Sequence, residues 1–214
     1  MKVAGLILCG GHSQRMGRPK AWLPFGSEFL LQRMVRIVSA CCDSVTVVAA
    51  RGQSLPSLPP SVSLVCDRHP DRGPLEGLAS GMAAMPEEVE VCFVASCDAP
   101  LLLPQFISFV LSKMSARDEH GPVMACVPFV SSRWHPLTAA YRPMLLPAME
   151  EMLARNALRL QGLCEAIGAR AIAEEELQAV DPELLSLWNV NDQADYLAAL
   201  QKAGLSDGPM LADG

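Results

Sequence analysis

The residues best placed to do chemistry lie close to the N-terminus, in Leu8-Cys9-Gly10-Gly11-His12-Ser13-Gln14-Arg15-Met16-Gly17-Arg18-Pro19-Lys20. Paired glycines let backbone N–H groups approach an anion closely, and Arg15 and Lys20 can neutralise the charge of a triphosphate. The backbone of Leu8, Cys9, Gly10 and Gly11 would then line the nucleotide. The spacing fits neither the G-x-x-x-x-G-K-[ST] phosphate loop nor the G-x-G-x-x-G dinucleotide turn. A second candidate is Asp98, which follows the apolar run Val91-Cys92-Phe93-Val94-Ala95 and precedes Pro100. Its carboxylate is a hard oxygen ligand suited to Mg²⁺, which would bridge phosphate oxygens and keep several waters. The alternative for Asp98 is an N-cap of the helix that begins near Pro104. Asp67, beside Arg68, Asp71 and Arg72, can accept hydrogen bonds from the N–H groups of a purine, or can simply be solvated. Gly73-Pro74-Leu75-Glu76-Gly77 can bring backbone close to a base or ribose, and Gly77 is the contact expected there.

These groups need a frame that gathers them. Short apolar stretches rich in β-branched residues recur at Val3–Leu8, Val45–Ala50, Val62–Cys66, Val89–Ala95 and Val123–Val127, each of a length for a strand buried on both faces. Phe29–Ala40, Leu75–Met85 and Pro104–Ala116 carry apolar residues at helical spacing between them. The alternation predicts an α/β fold: a Rossmann-like, doubly wound, mostly parallel sheet in three α/β/α layers, with right-handed crossovers. Ligands then sit at the carboxyl ends of strands, so the loops after Leu8, Cys66 and Ala95 should share one cleft. Beyond Val127 the rhythm gives way to a loop, a strand at Leu137–Tyr141, helices over about 144–168, and a last helix over 193–203. Residues 1–203 are expected to form one domain and 204–214 a loose tail. In the polar stretch Ser131-Ser132-Arg133-Trp134-His135-Pro136, His135 can orient an acceptor phosphate or serve the loop structurally. Asn189 and Asn191 alternate about Val190, so both side chains should face one way, where one can assist the metal or the acceptor.

Composition limits the partners. The formal charge is −6 and lysine and arginine do not cluster, which argues against nucleic acid and against an anionic membrane surface. The N-terminal apolar run is too short for a signal peptide or a membrane span. Eight cysteines without a Cys-x-x-Cys pair read as reduced, mostly buried thiols of a cytoplasmic protein.

Taken together, Leu-x-Gly-Gly-x-x-x-Arg-Met-Gly-x-x-Lys, Asp67, Gly73-Pro74-Leu75-Glu76-Gly77-Leu78, Cys97-Asp98-Ala99-Pro100, His135-Pro136 and Asn189-Val190-Asn191 resemble, in order, the motifs of the molybdenum cofactor guanylyltransferases. The resemblance implies a nucleotide-diphospho-sugar transferase type of fold, and transfer of GMP from GTP to molybdopterin with Mg²⁺ and release of pyrophosphate. It puts Asp67 on the guanine and Asp98 on the metal, and it implies transient contact with molybdoenzyme apoproteins or their chaperones. Relatives that use CTP tend to carry Leu-x-Ala-Gly, so Gly10 favours guanine. Where the guanylyltransferases often have an asparagine after the second strand, this chain has Ala49-Ala50-Arg51. Two alternatives stay open. One is cytidylyl or other nucleotidyl transfer to molybdopterin or to a sugar or alcohol phosphate. The other is a non-catalytic cofactor carrier, whose hallmark would be loss of Lys20 or Asp98; both are present.

Overall fold

The computed structural model of the protein describes residues 1–10, 18–118 and 121–205. In chain order these form β1 (Val3–Leu8), the hairpin β2 (Pro24–Phe25) and β3 (Glu28–Phe29), α1 (Leu30–Ser39), β4 (Ser44–Ala49), β5 (Val62–Cys66), α2 (Gly73–Ala83), β6 (Val91–Ser96) and α3 (Pro104–Ser112). There follow the small hairpin β7 (Arg117–Asp118) and β8 (Gly121–Pro122), β9 (Ala125–Val130), β10 (Arg133–Trp134), β11 (Thr138–Tyr141), α4 (Leu146–Ala154), α5 (Leu160–Ala166), β12 (Arg170–Ala173), α6 (Glu174–Gln178) and α7 (Gln193–Lys202).

Eight strands make one sheet in the order β10-β9-β11-β6-β1-β4-β5, with β12 added on β9. Strands β6, β1, β4 and β5 run parallel, β11 is antiparallel to both β6 and β9, and β12 is parallel to β9. The alternating period of β1 explains its unbroken apolar sequence. Leu6 and Leu8 pack with α2 and α4 residues such as Leu78 and Met149, whereas Ile7 and Cys9 pack with Leu31, Met34 and Phe106 of α1 and α3. The expected three-layer α/β/α fold is present. A smaller third core ties the C-terminal α7 to the N-terminal hairpin through Leu23, Phe25, Leu30, Val190 and Leu200.

Several local expectations need correction. Strand β5 is not buried on both faces: it closes the edge of the sheet, where Ser63 and Cys66 are exposed and Leu64 is 57% exposed. An edge strand has one neighbour instead of two. Strand β9 runs on to Val130 through Pro128 and turns back as β10, so the stretch after Val127 is a hairpin and not a loop. Ser131 and Ser132 make that turn with φ of 49° and 60°. The helices expected over about 144–168 are present as α4 and α5, whereas the segment β12–α6 is an added element.

Candidate functional site

Chain order and sheet order together place the site. From β1 the chain goes out to β4 and then to β5, and it returns across β1 to β6 on the other side. Connections leaving β1 and β6 therefore diverge, and a crevice opens at their carboxyl ends. A cleft of about 760 Å³ lies there, lined by Leu8, Gly10, Ala50, Arg51, Asp67, Arg68, Pro70, Asp71, Gly73, Pro74, Gly77, Ser96 and Leu137. Gly10 after β1, Asp67 and Arg68 after β5, and Ser96 at the end of β6 share this cleft, as expected for the segments after Leu8, Cys66 and Ala95.

Asp98 stands two residues beyond β6. Its Oδ1 accepts the Ser96 hydroxyl at 2.5 Å, and its Oδ2 lies 2.5 Å from Lys20 Nζ. Lys20 opens a single 3-10 turn, Lys20–Trp22, that follows the glycine loop. The N-cap alternative for Asp98 is excluded: α3 starts behind Leu103 without any side-chain cap. The late asparagines arrive at the same point from the other end of the chain, because the Val190 N–H donates to the Asp98 carbonyl at 2.8 Å. Val190 is fully buried, while Asn189 and Asn191 are both exposed, and the Asn191 amide donates to the Asn189 carbonyl at 3.2 Å.

Asp67 is set between two glycines. A Cβ on Gly10 would lie 3.4 Å from Asp67 Oδ2, and one on Gly77 would lie 3.3 Å from Oδ1. Oδ1 is buried and has no hydrogen-bond partner among the described residues, an arrangement that costs free energy unless a ligand supplies donors. Burial and, second, the charge of Glu76 raise the pKa of Asp67. The carboxylate is thus a strong acceptor awaiting N–H groups. Gln53 secures the loop opposite: its amide donates to the Cys9 carbonyl at 2.9 Å and accepts the Ala50 N–H at 3.0 Å. It stands just beyond Ala49-Ala50-Arg51, and its amide, like Ser96, gave no signal in the sequence because a glutamine or serine in a loop is common.

Gly11 and Arg15 lie outside the described residues. His135 does not line the cleft; Leu137 does. The His135 N–H donates to the Pro128 carbonyl at 2.9 Å, and burial together with Arg133 lowers the pKa of its ring. For a metal, the described residues offer no group of three or more His, Cys, Asp or Glu side chains. A lone carboxylate at a strand end fits Mg²⁺ carried in on phosphate oxygens, since that ion keeps most of its waters and needs only one or two protein carboxylates.

A family model described as "MobA-like NTP transferase domain" matches residues 5–173. A "Probable molybdenum cofactor guanylyltransferase" of Mycobacterium avium is 34% identical over 204 residues, spanning 94% of this chain and 96% of the relative. The "Molybdenum cofactor guanylyltransferase" of Desulfosudis oleivorans is 30% identical over 205 residues, spanning 94% and 97%. Among solved structures, molybdopterin-guanine dinucleotide biosynthesis protein A of Archaeoglobus fulgidus superimposes with a TM-score of 0.74 at 20% identity, over 95% of this chain and 99% of that one. The 2-C-methyl-D-erythritol 4-phosphate cytidylyltransferase of Thermus thermophilus has the same fold, with a TM-score of 0.68 at 17% identity over 96% and 100%.

Proposed function

Because the chain belongs to the MobA-like NTP transferase family, we propose that it transfers GMP from GTP to molybdopterin and releases pyrophosphate. The observation that carries this reading is the orphaned, buried Asp67 Oδ1 held between Gly10 and Gly77. Guanine presents N1–H and a 2-amino group side by side, which match two carboxylate oxygens; cytosine offers only one exocyclic amine in that position. Guanylyltransferase names among the relatives support the same choice.

In this reading Gly10, Gly11 and the backbone of Leu8 and Cys9 line the nucleotide, and Lys20 and Arg15 neutralise the triphosphate. Asp98 would hold Mg²⁺, which when bound offsets charge on the phosphates and the departing pyrophosphate. Lys20 exchanges its partner from Asp98 to phosphate oxygens as the nucleotide enters. A phosphate oxygen of the acceptor then attacks the α-phosphorus, the bond to the β-phosphate oxygen breaks, and pyrophosphate departs. The acceptor phosphate is ionised at neutral pH, so no general base is required and positioning with charge neutralisation suffices. Asn189 and Asn191, exposed beside Asp98, are assigned to the acceptor side, as is His135 at the β10 end. Residues 1–203 act as one domain in this account. No helix among the described residues is long and apolar enough to cross a membrane, and eight unpaired cysteines, five of them buried, support a cytoplasmic location. Contact with molybdoenzyme apoproteins or their chaperones, to hand on the product, belongs to the same proposal. The test is incubation with Mg²⁺, GTP and molybdopterin: pyrophosphate must appear only when all three are present. Its absence, in protein that binds GTP, would favour the carrier reading.

A further inference from the structure

The loop between β5 and α2 is tied down by a buried charge. Glu76, in the first turn of α2, is 1% exposed, yet Arg68 Nε lies 3.5 Å from its carboxylate, His69 Nδ1 3.4 Å and an Arg72 nitrogen 3.7 Å. Ser80 is one turn further on and 2% exposed. Its hydroxyl donates to Glu76 Oε1 at 3.1 Å and accepts the Arg68 N–H at 3.1 Å. Residues four apart share a helix face, so this face of α2 meets the backbone right after Asp67. The Asp67 N–H itself donates to the Ala49 carbonyl at 3.0 Å. Both peptides flanking the Asp67 side chain are therefore pinned, one to β4 and one to α2. Arg68 also reaches Glu150 of α4 at 3.0 Å, and Arg72 donates to the Leu153 carbonyl. A surface turn does not require a buried carboxylate, which is unfavourable unless it is paired.

We infer that Ser80 and Glu76 are positioning residues for base selection: the Ser80 hydroxyl fixes the peptide after Asp67, and Glu76 holds that hydroxyl and the loop's cations in place. The inference rests on the reading of Asp67 as the guanine contact. Two parallel hydrogen bonds from a planar base tolerate little displacement of the carboxylate, and a shift near 1 Å can cost about 10²-fold in a positioned interaction. A pair that served stability alone would leave the ratio between two similar nucleotides untouched.

The experiment is calorimetric titration of the full chain with Mg–GTP and with Mg–ITP, which lacks only the 2-amino group. Wild type, Ser80→Ala, Glu76→Gln, Asp67→Ala and the double variant Asp67→Ala/Ser80→Ala are compared. Ser80→Ala should shrink the ITP-to-GTP ratio of Kd by about fivefold or more, with ITP, which offers Asp67 only its N1–H, weakened less than GTP, and should change nothing further once Asp67 is alanine. Glu76→Gln, which keeps an acceptor for Ser80 but loses the charge, should shift the ratio in the same direction; it decides the matter should Ser80→Ala not fold. Equal weakening of both nucleotides, or a wild-type ratio in Ser80→Ala and Glu76→Gln while Asp67→Ala abolishes it, would overturn the inference and leave the Asp67 reading standing. An unchanged ratio in Asp67→Ala would overturn that reading, and the inference with it.

Discussion

Lys20 Nζ and Asp98 Oδ2 lie 2.5 Å apart, so a cation and the acid meant for a cation already face each other, beside the Ser96 that lines the cleft. Lys20→Ala should lower turnover by about 10²-fold or more, the scale of a single preorganised electrostatic contact. Its melting temperature should stay within about 4 °C of wild type, because 1 kcal/mol corresponds to roughly 2–4 °C in a chain of this size. Steady-state kinetics beside a thermal melt checks both halves. Asp98→Asn preserves shape and the acceptor for Ser96 but removes negative charge, so Mg²⁺-dependent activity should vanish while the circular dichroism spectrum is unchanged; persistent activity would put the metal elsewhere. Asp67 supplies a pH test. Burial and Glu76 raise its pKa above the ordinary aspartate value, so folding disfavours its charged form, and its contribution to stability is lost as pH rises through the raised pKa. Nucleotide binding has the opposite sign, because guanine donors need the carboxylate ionised. The Kd for Mg–GTP should therefore worsen as pH falls from about 7 towards 4, with a limb above the usual aspartate pKa, and that limb should be missing in Asp67→Asn. Asp67 and Asp98 were legible in the sequence as carboxylates at strand ends. Ser96, Gln53, Ser80 and Glu76 were not: Gln53 and Ser80 act on residues 44 and 12 positions away, Ser96 is a common residue at a strand end, and the role of Glu76 comes from burial that a short motif does not encode.

At the scale of elements, α2 carries the site because its backbone lies directly on the sheet. A Cβ on Gly81 would fall 2.4 and 2.7 Å from the two Leu6 methyls and 2.9 Å from a Val48 methyl. Leu6 and Val48 are buried on β1 and β4, so neither can retreat. Gly81→Ala should destabilise the protein by about 1–3 kcal/mol net of the better helix propensity of alanine, read as a lower denaturant midpoint with unchanged slope. A neutral or stabilising result would mean the helix can lift off the sheet. Strands β1 and β5 match their sequence-based bounds at both ends, because each is a short, mostly apolar run that a polar residue precedes and that Gly10-Gly11 or Asp67 closes. What β5 hides is its place at the edge, since apolar residues in a strand do not say how many neighbours it has. The β9–β10 hairpin was missed because Pro128 reads as a break; it is tolerated where its carbonyl still pairs, with the His135 N–H. Strand β12 escaped notice because only Ile172 of its four residues is buried.

For the whole molecule, the reversal of strand order between β1 and β6 draws together residues from positions 8 to 137, and the C-terminal segment closes on them through Val190 and Asp98. The chain is acidic, with a formal charge of −6; the cleft brings Arg51 and Arg68 together with Asp67 and Asp71, and Lys20 stands paired with Asp98 next to Ser96 of its lining. The order of motifs made this convergence readable before the fold was seen, because a doubly wound sheet puts every β-to-α loop on one side. The base is the least redundant part of the account, with the choice resting on Asp67. The most direct test is kcat/KM for GTP and for CTP with molybdopterin as acceptor, in wild type and in Asp67→Ala. GTP should be preferred in wild type by about 1–3 kcal/mol, the scale of a hydrogen-bonded base edge, and the preference should shrink towards parity in Asp67→Ala while the Mg²⁺ requirement stays. A wild-type preference for CTP, or an unchanged GTP preference in the variant, would contradict it.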